Sequence, residues 1–276
     1  MNIEQFAPMN QIYRFYELED YMRSVSGIGY SSIDLWTCGH HFYVDSDYGG
    51  DIEHIKKLLQ RYHLRIVSMT PRQSCPNPFH MAAKGSEMRE RTERYFQNVI
   101  LAAERLGCTN VLITSGWQYY SEPRQDAWDR SVDMTGRLCR FSEKHGVKLA
   151  METLSSQSTT LVNRLEDLRQ MEREVGSEAF AVTADIHTIH NAGEDLQDYF
   201  DVFGEKLVLC HFMDYRESVR AHLAWGDGEA DMPAWLDIFR KNGYEGYFVL
   251  EFNDSRYLHE PGRTYRKTYQ MLTENI

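Results

Sequence analysis

Four short apolar runs each end on a residue able to ligate a metal. They are Lys148-Leu-Ala-Met-Glu152, Phe180-Ala-Val-Thr-Ala-Asp185, Leu207-Val-Leu-Cys-His211 and Tyr247-Phe-Val-Leu-Glu251. An acid at one strand end is ordinarily a helix cap or a solvated charge. Four such residues at successive strand tips, where parallel α/β proteins place their chemistry, point instead to one shared site. Three carboxylates and one imidazole suit a hard divalent cation such as Mn2+, Mg2+ or Co2+ better than a thiolate-loving ion. A cation held by four protein groups keeps two positions for neighbouring carbonyl and hydroxyl oxygens of a substrate. Polarising that carbonyl acidifies the proton on the adjacent carbon. Glu152 and Glu251 then serve as bases on either side of that carbon, one removing a proton and the other returning one. The chemistry expected is epimerisation of a small polyol or sugar through an enediolate.

The elements that must position these groups repeat along the chain as amphipathic helix, glycine, short gap and β-branched strand. Gly27 precedes Ser31 to Trp36, Gly107 precedes Asn110 to Thr114, and Gly146 precedes Val147 to Met151. Gly176, Gly204 and Gly243 precede the runs ending on Asp185, His211 and Glu251. A glycine just past a helix supplies the left-handed residue that ends it. Leu64 to Ser68 is a further strand, entered after Tyr62-His63 without a glycine, and a first strand is expected near Asn2 to Phe6. Helices are expected from Asp51 (N-cap) to Tyr62, from Met88 to Leu106, and from Met232 with Pro233 in its first turn. Eight alternating units predict a parallel sheet with right-handed crossovers: a single (β/α)8 TIM barrel over 1–276 as one catalytic domain. A doubly wound open sheet is the alternative. No G-x-G-x-x-G opens a helix, so dinucleotide binding has no support. The longest irregular stretch, Pro71 to Gly85, falls at the expected rim of the site.

Further residues are expected around that rim. His41 of the His40-His41 pair follows the second strand, and alternation lets at most one of the two reach the site. Trp117, directly after Leu112-Ile-Thr114, is an expected wall for the apolar face of a sugar. His187, Arg220 and His222 are expected substrate contacts, and Asp214, three residues past His211, is expected to orient that ligand. Cys210 should point away from the His211 face into packing.

Bulk composition narrows the partners. The 276 residues carry a net charge of −11 with no Lys/Arg block, which argues against a nucleic-acid substrate. Five cysteines without a C-x-x-C spacing read as reduced thiols. No signal peptide and no run of about 20 apolar residues is seen, so a cytoplasmic protein without a membrane partner is expected.

Met151-Glu152, Thr183-Ala-Asp185, Cys210-His211-Phe212, Gly226-Asp-Gly228 and Gly243-Tyr-Glu-Gly-Tyr247-Phe-Val-Leu-Glu251 resemble the xylose-isomerase-like sugar isomerase/epimerase superfamily, specifically its ketose 3-epimerase branch. The resemblance covers essentially the whole chain. It implies that Glu152, Asp185, His211 and Glu251 hold one cation, Mn2+ first and Mg2+, Co2+ or Zn2+ as substitutes. It also implies that the two glutamates are the acid–base pair and that the protein is a homo-oligomer. Ala221 to Gly228 and His259-Glu260-Pro261 are most similar to the fructoselysine 3-epimerase subfamily, implying inversion at C3 of a ketose or ketosamine. Two positions depart from the pattern of many free-ketose epimerases: Thr188 stands where they carry histidine, and Ser158 where they carry glutamate. The ligand set is kept while the sugar-reading positions differ. Rival readings are an aldose–ketose isomerase using the same carboxylates and cation, hydrolysis of abasic DNA on the same fold, and a non-catalytic sugar-binding barrel.

Overall fold

The computed structural model describes residues 1–276 except Pro76 and Ser218. Strands β1 (Phe6–Pro8), β2 (Ser32–Trp36), β3 (Arg65–Thr70), β4 (Asn110–Thr114), β5 (Lys148–Glu152), β6 (Phe180–Asp185), β7 (Leu207–His211) and β10 (Tyr247–Leu250) form one parallel sheet. Its order is β1-β10-β7-β6-β5-β4-β3-β2. The two ends of this order meet at a parallel bridge between Met9 and Asp34, which brings the sheet nearly to closure. The helices between the strands are α1 (Leu18–Ile28), α2 (Ile52–Tyr62), α3 (Ser86–Arg105), α4 (Arg124–Glu143), α5 (Leu165–Val175), α6 (Ile186–Ala192), α7 (Leu196–Phe203), α8 (Met232–Lys241) and α9 (Pro261–Asn275). This is a (β/α)8 barrel. Strands β8 (Asp214–Arg216) and β9 (Val219–Leu223) pair antiparallel outside it, a hairpin at the mouth that the sequence pattern read as a loop.

Alternation along each strand divides the apolar residues into two populations. Leu149, Met151, Val182, Cys210, Phe248 and Leu250 face outward into the main core beneath the helices. Met9, Ala150, Ala181, Leu209 and Val249 face inward and fill the barrel. Cys210 therefore packs away from the His211 face, as alternation predicts.

Two local expectations need correction. The N-terminus begins with a 3-10 turn at Ile3–Gln5, because Asn2 Oδ1 accepts from Glu4 N and Gln5 Oε1 accepts from Asn2 N. The first strand is thereby displaced to Phe6–Pro8. Gly27 lies inside α1, and Gly29, at φ 126°, makes the turn that follows. After α2 the left-handed position is taken by His63 at φ 52°, which explains why no glycine precedes β3. Asp51 caps α2 by accepting from His54 N, as its position predicts. No helix among the described residues is long and apolar enough to cross a membrane.

Candidate active site

Strand register brings the four sequence-selected groups together. Asp185 and His211 are direct partners across β6 and β7, and His211 pairs with Val249, two residues before Glu251. Glu152 pairs with Thr183, two residues before Asp185. Each group has the parity of an inward-facing barrel residue: Glu152 with Ala150, Asp185 with Ala181, His211 with Leu209, Glu251 with Val249. All four therefore aim into the barrel mouth, where their donor atoms lie within 4.8 Å of one another. His211 Nδ1 stands 2.8 Å from Glu152 Oε1, 3.0 Å from Glu251 Oε2 and 3.7 Å from Asp185 Oδ2. Asp185 divides its oxygens: Oδ1 accepts from Thr188 N and caps α6, leaving Oδ2 for the cluster.

Glu152, Asp185 and His211 are buried, Glu152 to 5% and the other two to 1% exposure, while Glu251 is half-buried. Burial pushes the Glu152 carboxyl up to about 7, with Asp185 and Glu251 adding to the rise and His211 opposing it. Burial also opposes charge on Glu251, yet the His211 and His222 imidazoles beside it hold its carboxyl below the ordinary range. Two buried carboxylates and a half-buried third facing one point call for positive charge there. Neither ring nitrogen of His211 makes a hydrogen bond of acceptable geometry despite the three oxygens around Nδ1. The oxygens crowd the nitrogen without lying along its N–H direction, as expected of donors that share a centre rather than bond to one another. Donor atoms within 4.8 Å of one another are close enough for one ion to contact all four. The donor set fits one divalent cation.

The cluster forms the floor of an open cleft of about 1400 Å3. Trp36, Gln73, Phe79, Ser158, Asn191 and Asn253 are among the residues lining it. His222, on β9, lies at its floor with Nδ1 3.1 Å from Glu251 Oε2. Burial disfavours the imidazolium, but Glu251 and Asp185 raise His222 to about 9. The strand carrying it is tied down, since His222 N donates to Asn253 Oδ1 and Asn253 N to His222 O.

A family model described as the xylose isomerase-like TIM barrel matches residues 22–275. The chain belongs to the xylose isomerase-like TIM barrel family. Fructoselysine 3-epimerase of Shigella flexneri is 26% identical to it over 244 residues, 88% of each chain. The solved structure of D-psicose 3-epimerase with D-tagatose from Clostridium cellulolyticum H10 has a TM-score of 0.78 at 12% identity, covering 98% of this chain and 97% of that one. The IOLI protein with a bound zinc atom has a TM-score of 0.77 at 15% identity, covering 97% and 96%. At these identities the structural likenesses establish the shared fold. Family membership and relatives named as epimerases make the chain an enzyme of the isomerase/epimerase class.

Around this family core, the remaining sequence-selected residues scatter. His187, Arg220 and His222 line the cleft. His187 stacks on Tyr215 at 5.7 Å and meets His222 edge-on at 5.5 Å. His41 is outside the cleft lining, and both its nitrogens are engaged, Nδ1 with Asn10 Nδ2 and Nε2 with Tyr16 O. Trp117 is likewise outside the lining and stacks on His80 at 4.2 Å. The two positions that depart from the free-ketose pattern, Thr188 and Ser158, both line the cleft.

Asp214 makes no hydrogen bond to His211. Its oxygens accept from Tyr215 N, Gly226 N, Gly228 N and Ala230 N, gathering the loop after β9 around one buried carboxylate. Replacing Asp214 by Ala strands several of these donors. It is expected to destabilise the fold by about 2–4 kcal/mol and lower the melting temperature by roughly 5–15 °C. A variant melting within a degree of the parent would show that water replaces the carboxylate without cost.

Sequence reasoning missed Asp34. It is fully buried, its Oδ2 accepts from Ser68 Oγ and Thr70 Oγ1, and Oδ1 has no partner. Burial pushes its carboxyl up to about 7 against those hydroxyl contacts. The only sequence signal is an acid inside the Ser31 to Trp36 run, which becomes meaningful once the barrel encloses it.

Proposed function

We propose that the protein, as one catalytic domain over 1–276, is a divalent-metal-dependent epimerase that inverts C3, next to the ketone, of a ketose or ketosamine. The observation that carries this reading is the convergence of two glutamates, one aspartate and one histidine on a single point at the floor of a cleft. The relative named fructoselysine 3-epimerase supports the C3 position and the ketosamine class.

Glu152, Asp185, His211 and Glu251 are the residues that hold the cation, for which Mn2+ is proposed because oxygen-rich donors with one imidazole favour hard ions. When bound, the cation supplies Lewis-acid polarisation of the substrate carbonyl. Glu152 and Glu251 supply the proton chemistry, a carboxylate oxygen of one taking the C3 proton and the other returning a proton to the opposite face. His222, 3.1 Å from Glu251 Oε2, keeps that carboxylate aimed into the cleft. His187 borders the same floor and meets substrate hydroxyls.

Reaction in D2O tests the reading. The C3 epimer formed should carry one deuterium at C3, whereas recovered substrate stays largely unlabelled. Deuterium at C1 or C2 with an aldose product would replace epimerisation by aldose–ketose isomerisation.

A further inference from the structure

The cleft is larger than the proposed reaction requires. Its volume of about 1400 Å3 exceeds the roughly 300–1,000 Å3 of ordinary small-molecule sites. A ketose on the metal-binding floor leaves the outer part unfilled. Three arginines from different loops line this cleft: Arg72 after β3, Arg164 after β5 and Arg220 on β9. In a chain of net charge −11, exposed arginines readily find carboxylates. Their neighbours do so, Arg124 pairing with Asp167 and Arg216 with Glu229. Among the described residues, none of the three approaches a carboxylate within 4.0 Å.

The outer carboxylates in the lining are already engaged. Asp167 accepts from Asn163 N, Arg164 N and Arg124, and Asp45 from Tyr43 OH, Asp47 N and Tyr48 N. Arg220 is the best placed of the three cations. Alternation along Val219–Leu223 puts it on the same face of β9 as His222, whose ring contacts Glu251. It stands two residues closer to the hairpin tip, ~7 Å along the strand. A group bound on the floor and extending outward passes His222 and meets Arg220. Guanidinium groups match the two-oxygen geometry of carboxylate and phosphate.

We propose that the substrate carries an anionic group, a carboxylate or a phosphate, on the part projecting from the cleft floor, and that Arg220 binds it. Arg72 and Arg164 are the further cations of the same rim. This rests on the epimerase reading above and adds to it the charge of the substrate.

The test uses the metal-loaded protein and deuterium incorporation at C3 with four substrates. They are a free ketohexose, its 6-phosphate, a ketosamine built on a simple alkylamine and one built on an amino acid. One anionic substrate should exceed its neutral counterpart in kcat/KM by about 10-fold or more, and which one does so distinguishes phosphate from carboxylate. In Arg220→Gln that preference should fall ~10–100-fold, mainly through KM, the size expected for one charge-assisted contact, with partial recovery in Arg220→Lys. Equal kcat/KM for neutral and anionic substrates overturns the inference while leaving the epimerase reading intact. A preference that survives Arg220→Gln overturns the assignment of Arg220. Absence of exchange with all four overturns the epimerase reading and this inference with it.

Discussion

Glu251→Gln is expected to lower epimerisation by ~10³-fold with the cation still bound, and Glu152→Gln to do the same. General acid–base catalysis by a positioned side chain contributes about 10²–10⁴-fold, and neither amide can accept the C3 proton. Glutamine keeps a carbonyl oxygen where the carboxylate stood, so three unchanged donors and one neutral oxygen remain for the metal. The two variants should differ in a second respect. Glu251 Oε2 also faces His222 Nδ1 at 3.1 Å, so its loss frees that ring, whereas the imidazole beside Glu152 is His211, itself one of the four donors. Substrate affinity should therefore change more in Glu251→Gln than in Glu152→Gln. Metal content per chain, deuterium uptake at C3 and the equilibrium Kd for a slow substrate separate these effects. Turnover near the parental rate in either variant, with metal retained, would remove that glutamate from the proton path.

Stripping the cation should abolish turnover and soften the fold. Three carboxylates lie around His211 Nδ1 within 3.7 Å. Without a cation, the protein must offset their repulsion internally. Burial disfavours charge on His211, but Glu152 and Glu251 push its imidazole well above the ordinary range. A proton on that imidazole is a poor substitute for a doubly charged ion, because it meets three oxygens at unfavourable angles. A ligand that binds only the folded state stabilises it by ~2.7 kcal/mol at 100 times Kd. In a chain of this size that amounts to roughly 5–10 °C in melting temperature. Thermal melts in chelator and in Mn2+ at that excess measure it directly, and activity should return with the metal. Identical melts, with turnover preserved in chelator, would leave the four donors as a structural cluster and end the metal-dependent reading.

The hairpin at the mouth shows why such effects concentrate where they do. His222 and Arg220 ride on β9, which is held by Asn253 at the tip of β10 and by the loop folded around Asp214. The segment that brings His222 and Arg220 to the cleft lining is thus fastened to the strand that delivers Glu251. Disturbing Asp214 should be felt at His222 although the two share no hydrogen bond.

Much of this molecule is legible in one dimension. Glycines such as Gly146, Gly176 and Gly243, all at positive φ, mark the exits of helices because few other residues adopt that backbone cheaply. The apolar runs after them mark strands, and a parallel barrel sends its strand tips to one end. Glu152, Asp185, His211 and Glu251 could therefore be selected from local pattern alone. The same logic fails where no period exists. His41 and Trp117 follow strands just as Glu152 does, but Asn10 and Tyr16 capture the His41 ring and His80 stacks on Trp117. Spacing makes Asp214 a partner of His211, yet its neighbour Tyr215 N and three backbone N–H groups from a loop up to sixteen residues away claim it. Asp34 is marked in the sequence only as an acid within a strand run, and that mark gains meaning when the barrel closes at the Met9 bridge and buries it. Local backbone chemistry set the elements, their order and the four donors. Which rim side chains reach the cleft was decided by competition among hydrogen-bond and stacking partners distant in the chain, and only the packed barrel brings those competitors within reach.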